Sequence, residues 1–269
     1  MGHGIAHAAA ASGFETRLFD VSDAALDRAR SQIDGILRKA VELGKGSAAD
    51  ADAALGRLRT STDVAAALSG ADFVIEAAPE RMDLKLSLFA DIERHAPADS
   101  VVATNTSALS ITEMAGLLRK PSRVAGMHFF NPVHKMKLIE IVRALESSAG
   151  TLETVENVAR QMGKETVLVR EAPGFITTRV NASIGNEAFY MLMEGVASAR
   201  DIDKALKLGL NHPMGPFELV DLVGLDTRLS ILEYLHRSMG EKYRPCPLLV
   251  QYVRAGRLGR KVGKGVYEY

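Results

Sequence analysis

Short, nearly continuous apolar runs alternate with helix-patterned stretches along the first 171 residues and then stop. This switch constrains the fold more than any other feature of the chain. "TRLFDV" (16–21), "LRTST" (58–62), "DFVIEA" (72–77), "SVVATN" (100–105) and "RVAGMHFF" (123–130) read as strands, and "LIEIV" (138–142) and "TVLV" (166–169) continue the set. Strands this apolar are covered on both faces, and in a strand–helix alternation that means a parallel sheet between two layers of helices. A helix is predicted from about Ser22 to Leu43 with Ser22 as its N-cap, and another over 82–95, with "GKGSAAD" (44–50) as a loop. From Ile176 to Tyr252 apolar residues recur only at helical spacing, as in Ile184, Ala188, Met191 and Leu192. Two domains are therefore predicted: residues 1–171, a doubly wound α/β domain, and residues 172–269, an all-helical one.

The charge balance narrows the partners. Lys plus Arg and Asp plus Glu both number 33, so nothing global draws the chain to nucleic acid or an anionic membrane. No apolar run approaches the ~18 residues of a membrane span. Cys246 is the single cysteine, which rules out an intrachain disulfide, and no metal centre is expected. The N-terminus lacks the basic and apolar blocks of a secretory signal, so a cytoplasmic location is expected.

The strand ending on Asp20 fits the second strand of a dinucleotide-binding βαβ unit, whose terminal acid accepts hydrogen bonds from the adenosine ribose. Gly2 precedes Asp20 by 18 positions across a helical stretch, as the third glycine of G-x-G-x-x-G does, and Gly4 follows it in "MGHGIAHAAA". The small third glycine lets helix and strand pack closely. On its own, Asp20 reads first as an acid that ends a strand and turns the chain. Val21 follows it and no Arg stands beside it, which favours NAD over NADP. The first strand and first two glycines of the motif do not precede Gly2. In the strand order 3-2-1-4-5-6 the absent strand is the central one, leaving a gap of roughly 10 Å between its neighbours. An internal Met read as a start codon, with the strand and G-x-G-x about a dozen residues upstream, is one explanation; a shortened paralogue is the rival.

"ATNTSALSI" (103–111) and "GMHFFNPVHKMKLIEIV" (126–142) resemble the L-3-hydroxyacyl-CoA dehydrogenase family. "VIEAAPERMDLK" (74–85), "APGFI" (172–176), "DIDKALKLGLNHPMGPFELVDLVGLDT" (201–227) and "GRKVGKGVYEY" (259–269) extend the resemblance in family order over essentially the whole chain. It implies a Rossmann-type sheet, here truncated at its N-terminus, followed by a helical domain through which two copies dimerise. It also implies NAD-dependent, reversible oxidation of a (3S)-3-hydroxyacyl-CoA thioester.

Residue chemistry fits that implication. Oxidation of a secondary alcohol needs a base, and His128, at the end of a strand, has a side chain suited to proton transfer near neutrality. Glu140, an acid inside an apolar strand, needs a partner if buried, and orients the imidazole if His128 is that partner. Without the resemblance, a structural His–Glu pair is an equal reading of the same two residues; with it, the catalytic dyad is the favoured one. The family resemblance puts Ser107 at the substrate's 3-oxygen, Asn131 beside the nicotinamide ribose or substrate, and Glu80, Lys85 and Lys261 against the cofactor. It also exposes a departure: Thr178 stands where the family usually has Asn, keeping a donor and an acceptor on a shorter side chain. Ser110-x-x-Glu113 reads as a capping box. Arg38, Lys39 and Lys45, near the end of the long helix, are candidates for the coenzyme A phosphates or simply a solvated basic helix end. Two alternatives stand beside the main reading: a related hydroxyacid or sugar-acid dehydrogenase, and a truncated, cofactor-free dimerising paralogue.

Overall fold

Seven of the first eleven residues are Gly or Ala, and residues 2–11 form a helix, α1 (Gly2–Ala11), thin enough to be packed from two sides. Ile5, Ala8 and Ala9 enter one buried cluster, with Met127, Phe129, Ile139, Ile141 and Val155. Ala6 enters another, with Ile33, Leu37, Ala51, Ala54 and Leu58. The computed structural model describes residues 1–269, which divide into two units, Met1–Glu171 and Ala172–Tyr269.

In the first unit the chain runs from α1 through β1 (Thr16–Phe19), α2 (Asp23–Glu42), α3 (Ala48–Arg57), β2 (Leu58–Ser61), α4 (Val64–Leu68), β3 (Phe73–Glu76), α5 (Met82–His95), β4 (Val101–Thr104), α6 (Ile111–Ala115), β5 (Val124–Phe129), β6 (Leu138–Arg143) and α7 (Ala149–Gln161) to β7 (Glu165–Arg170). The Ser22 hydroxyl caps α2 by accepting from the Ala25 amide at 3.3 Å. The stretch 44–50 is only partly loop. Ser47 and Asp50 form a capping box, so Ala48 already opens α3.

The strands form two sheets. β1 and β2 pair in parallel, and a five-stranded sheet runs β3-β4-β5-β6-β7. The expected order would put a central strand between β1 and β3, and no strand of this chain occupies that place. The larger sheet is mixed, because β6 runs antiparallel to β5 while the pairs β3·β4, β4·β5 and β6·β7 are parallel. The cause is the connection: residues 130–137 are too few for the crossover of a dozen or more residues that a parallel return requires. β7 is an edge strand, and Val167 and Leu168, read from sequence as buried, are exposed there. At the centre, Gly126 permits contact that no other residue would. A Cβ there would lie 2.5 Å from Ile111 Cδ1 and 2.7 Å from Val142 Cβ.

The second unit is α8 (Thr177–Met193), α9 (Ala199–Gly209), α10 (Pro216–Val223), α11 (Leu225–Met239) and α12 (Pro247–Arg254). Phe189 anchors it, meeting Phe217 and Tyr252 edge-on at centroid distances of 5.2 and 5.8 Å. The C-terminal segment is clasped by Asp221, whose carboxylate accepts from the amides of Val266 and Tyr267 and from the Tyr269 hydroxyl. The glycines of "GRKVGKG" serve this clasp: a side chain at Gly259 or Gly265 would overlap Asp221.

Candidate active site

β5 and β6 place His128 directly opposite Glu140 in the antiparallel ladder. The imidazole Nδ1 lies 2.7 Å from Glu140 Oε2, with 5% and 0% of the two residues exposed. Alternation along a strand explains the pairing, since directly opposite residues share a face and their side chains meet. A carboxylate buried this completely needs a charge-assisted donor, and the imidazole is it. An imidazole whose Nδ1 is engaged in this way has Nε2 as its nitrogen for proton exchange. The Phe130 ring packs against the imidazole at 4.8 Å.

The turn after β4 carries Ser107, and a single carboxylate shapes it. Glu80 Oε1 accepts from Thr106 Oγ1 at 2.6 Å, from the Ser107 amide at 2.8 Å and from the Ala108 amide at 3.0 Å. Ser110 caps α6 through the Glu113 amide, but Glu113 does not complete the box. Glu171 does the remaining work, accepting from the amides of Ile111 and Thr112 and from the hydroxyls of Ser110 and Thr112.

Lys85, expected against the cofactor, is a buried residue of α5. Its side chain is 1% exposed and its ammonium lies 2.8 Å from both oxygens of Glu76 and 3.6 Å from Glu80 Oε2. The buried counter-charge draws the ammonium inward. Sequence reasoning passed over Glu76, although it carries the signal that singled out Glu140: an acid inside an apolar strand. It also passed over Asn105, whose Oδ1 accepts from the Phe129 amide at 2.8 Å beside His128.

The cofactor candidates in the first unit lie at strand and helix ends. Asp20 sits just past β1, exposed, with Oδ1 accepting from the Ser22 amide. The N-terminus of α1 has no side-chain cap, so its leading amides remain available to an anion. Gly2 is not the tightly packed glycine: a Cβ there would stand 3.8 Å from Leu18, an ordinary contact. The close approach is at Gly4, where a Cβ would come 2.9 Å from Val133 Cγ2. These features suit a dinucleotide, with amides for its phosphates and a free carboxylate edge for its ribose. Asn131 is exposed and precedes Pro132 through a cis peptide bond.

Arg38 pairs with Asp34 and Asp52, and Lys39 with Glu42, all on exposed surface. Their charges are balanced locally, as on a solvated helix end, while Lys45 is exposed in the loop that follows. In the second unit Thr178 lies in the first turn of α8, half-buried. Lys261 Nζ is 2.6 Å from both oxygens of Asp226.

The comparisons agree with one another over both units. Residues 1–172 match the 3-hydroxyacyl-CoA dehydrogenase NAD binding domain and residues 174–269 the C-terminal domain of the same family. A probable 3-hydroxybutyryl-CoA dehydrogenase of Bacillus subtilis (strain 168) is 45% identical, over 100% of this chain and 94% of its own length. The 3-hydroxybutyryl-CoA dehydrogenase of Bradyrhizobium diazoefficiens is 41% identical, over 100% of this chain and 92% of its own. The crystal structure of the (S)-3-hydroxybutyryl-CoA dehydrogenase of Ralstonia eutropha is similar with a TM-score of 0.96 and 42% identity, covering 100% of this chain and 95% of that one. The buried His–Glu pair, the uncapped glycine-headed helix and these matches converge: the chain belongs to the 3-hydroxyacyl-CoA dehydrogenase family of NAD-dependent oxidoreductases.

Proposed function

We propose that this chain interconverts a (3S)-3-hydroxyacyl-CoA and the corresponding 3-oxoacyl-CoA, with a short acyl chain such as 3-hydroxybutyryl. The observation that carries the reading is the buried His128–Glu140 pair. His128 takes the hydroxyl proton at Nε2 during oxidation and returns it during reduction. Glu140 holds the tautomer and stabilises the imidazolium that forms. Ser107 donates to the 3-oxygen and fixes its position against the imidazole. NAD, when bound, accepts the hydride. The α1 amides and Asp20 suit its pyrophosphate and adenosine ribose, Glu80 and Asn131 lie on loops of the same unit, and Lys261 is a further candidate contact for it. Thr178 takes the place of the family's Asn and orients the substrate.

The helical unit exposes Val196, Leu208, Leu210, Leu222 and Val223, apolar area that supports a homodimer formed through it. One cysteine, buried, suits a reducing cytoplasm.

NADH consumption with acetoacetyl-CoA, set against free keto acids, tests the activity. Preference for a free keto acid would favour the hydroxyacid or sugar-acid alternative. Calorimetric titration with NAD tests the cofactor, and absence of binding with dimerisation intact would favour the cofactor-free alternative. Thr178→Ala is expected to lower turnover at least about tenfold, the effect of losing one oriented hydrogen bond to the reacting groups; an unchanged rate removes Thr178 from the site.

A further inference from the structure

We propose that Glu76 is a positioning residue for the reaction, acting through Lys85 and Glu80 on Ser107; this rests on the functional reading above. Glu76 closes β3 and is 5% exposed. Its two oxygens take more than the lysine. Thr104 Oγ1, at the end of β4, donates to Oε2 at 2.6 Å, and the Ala78 amide donates to Oε1 at 2.6 Å. The Glu76 carbonyl accepts from the Asn105 amide at 2.8 Å. The ends of two neighbouring strands are therefore tied at one carboxylate, just where the turn bearing Ser107 leaves the sheet.

Lys85 carries the tie onward. Its ammonium stands between two carboxylates, Glu76 on the buried side and Glu80 on the side of the turn. One cation is shared by two anions, so Glu80 keeps only part of that charge and has an oxygen to spare. That oxygen, Oε1, is the one that holds the amides of Ser107 and Ala108. Take Glu76 away and Lys85 has one carboxylate left to neutralise it. Glu80 is then pulled toward the ammonium and off the turn. A buried ion pair is poor value as a mere fastener between β3 and α5, since apolar residues of similar volume do that as well or better. What apolar residues cannot do is set the position of a third group through charge.

The test combines amide hydrogen exchange with a double-mutant cycle on the full chain. Glu76→Gln is expected to speed exchange at the Ser107 and Ala108 amides at least about tenfold, leaving those of Ile111 and Thr112, which Glu171 holds, unchanged. In turnover, Glu76→Gln is expected to lower kcat roughly thirtyfold with KM for NAD within about twofold, and Glu76→Gln with Ser107→Ala to be no slower than Ser107→Ala alone. Glu76→Asp keeps the charge opposite Lys85, so it serves where the Gln variant fails to fold, with the same non-additivity and a smaller loss. Unchanged exchange at Ser107 and Ala108, or losses that multiply with Ser107→Ala, would overturn the proposal. A wild type inactive on every 3-hydroxyacyl-CoA would instead defeat the functional reading, and the exchange measurement would still decide the role of Glu76.

Discussion

His128 Nδ1 and Glu140 Oε2 meet at 2.7 Å across directly opposed positions of one hairpin. Glu140 is fully buried and His128 nearly so, which shields the bond from solvent. Glu140→Gln keeps the size and an acceptor but removes the charge that stabilises the imidazolium. Turnover is expected to fall by roughly 10³–10⁴, the scale seen when a base loses its orienting carboxylate. Steady-state NADH formation checks this, and a loss under tenfold would make the pair structural rather than catalytic.

His7 should make the protein sensitive to mild acid. Burial, reinforced by His134, Lys164 and His3, lowers its pKa from 6.5 to about 4. Its Nδ1 is buried without a hydrogen-bond partner. The sign follows from linkage. Above pH 6.5 both native and unfolded chains hold a neutral imidazole. As pH falls from 6.5 toward 4, the unfolded chain takes up a proton that the native chain refuses, and stability is lost. The slope is at most ~1.4 kcal/mol per pH unit for one proton, reduced by solvent screening at this part-exposed site. His7→Gln is expected to flatten it. Urea midpoints across that window, equal in slope for both proteins, would contradict the assignment.

Arg228 is a liability in the helical unit. Its side chain is 3% exposed, its Nε has no partner, and burial alone lowers the guanidinium to about 10. It is still charged at neutral pH, and a buried charge with no counter-charge is costly. Arg228→Met keeps the aliphatic stem and removes the charge, so it is expected to stabilise the fold by about 1–3 kcal/mol. Chemical denaturation measures it, and a loss of stability would mean that the guanidinium has a compensating role in the assembled protein.

Glu171, the last residue of the first unit, should matter more than its position in the chain suggests. It accepts four hydrogen bonds at the start of α6, two from backbone amides. Glu171→Ala strands those amides, and a cost of about 1–3 kcal/mol is expected. Thermal unfolding would show it, and a shift within error would mean that water replaces the carboxylate.

The His128–Glu140 pair was legible because both residues sit in apolar strands, where a polar side chain has to be explained. The same rule finds Glu76, but its consequence was hidden. Lys85 lies nine positions further on, across a strand-to-helix turn, and no helical or strand spacing connects the two. The direction of β6 was hidden behind the pattern too, since an apolar run carries no arrow; only the eight residues between β5 and β6 reveal it. α3 began inside what reads as a glycine loop because Ser47 and Asp50 signal a cap more quietly than Gly44 and Gly46 signal a turn. Gly2 and Gly4 are both apt for the head of a helix, and only the position of Val133 decides which of them cannot change.

α1 is shared between two buried clusters, Ala6 facing one and Ile5, Ala8 and Ala9 the other. The two sheets of the first unit make no strand-to-strand bonds with each other, so this helix works as a dowel between them. A dowel half of alanine fits tightly, and its rotation is keyed by little more than Ile5 and the contact of Gly4 with Val133. If α1 turns or slips, the β1–β2 layer and the β3–β7 layer lose their common reference together, and Asp20 drifts from Ser107. The spacing between Asp20 and Ser107 is thus referred to one short helix rich in small side chains.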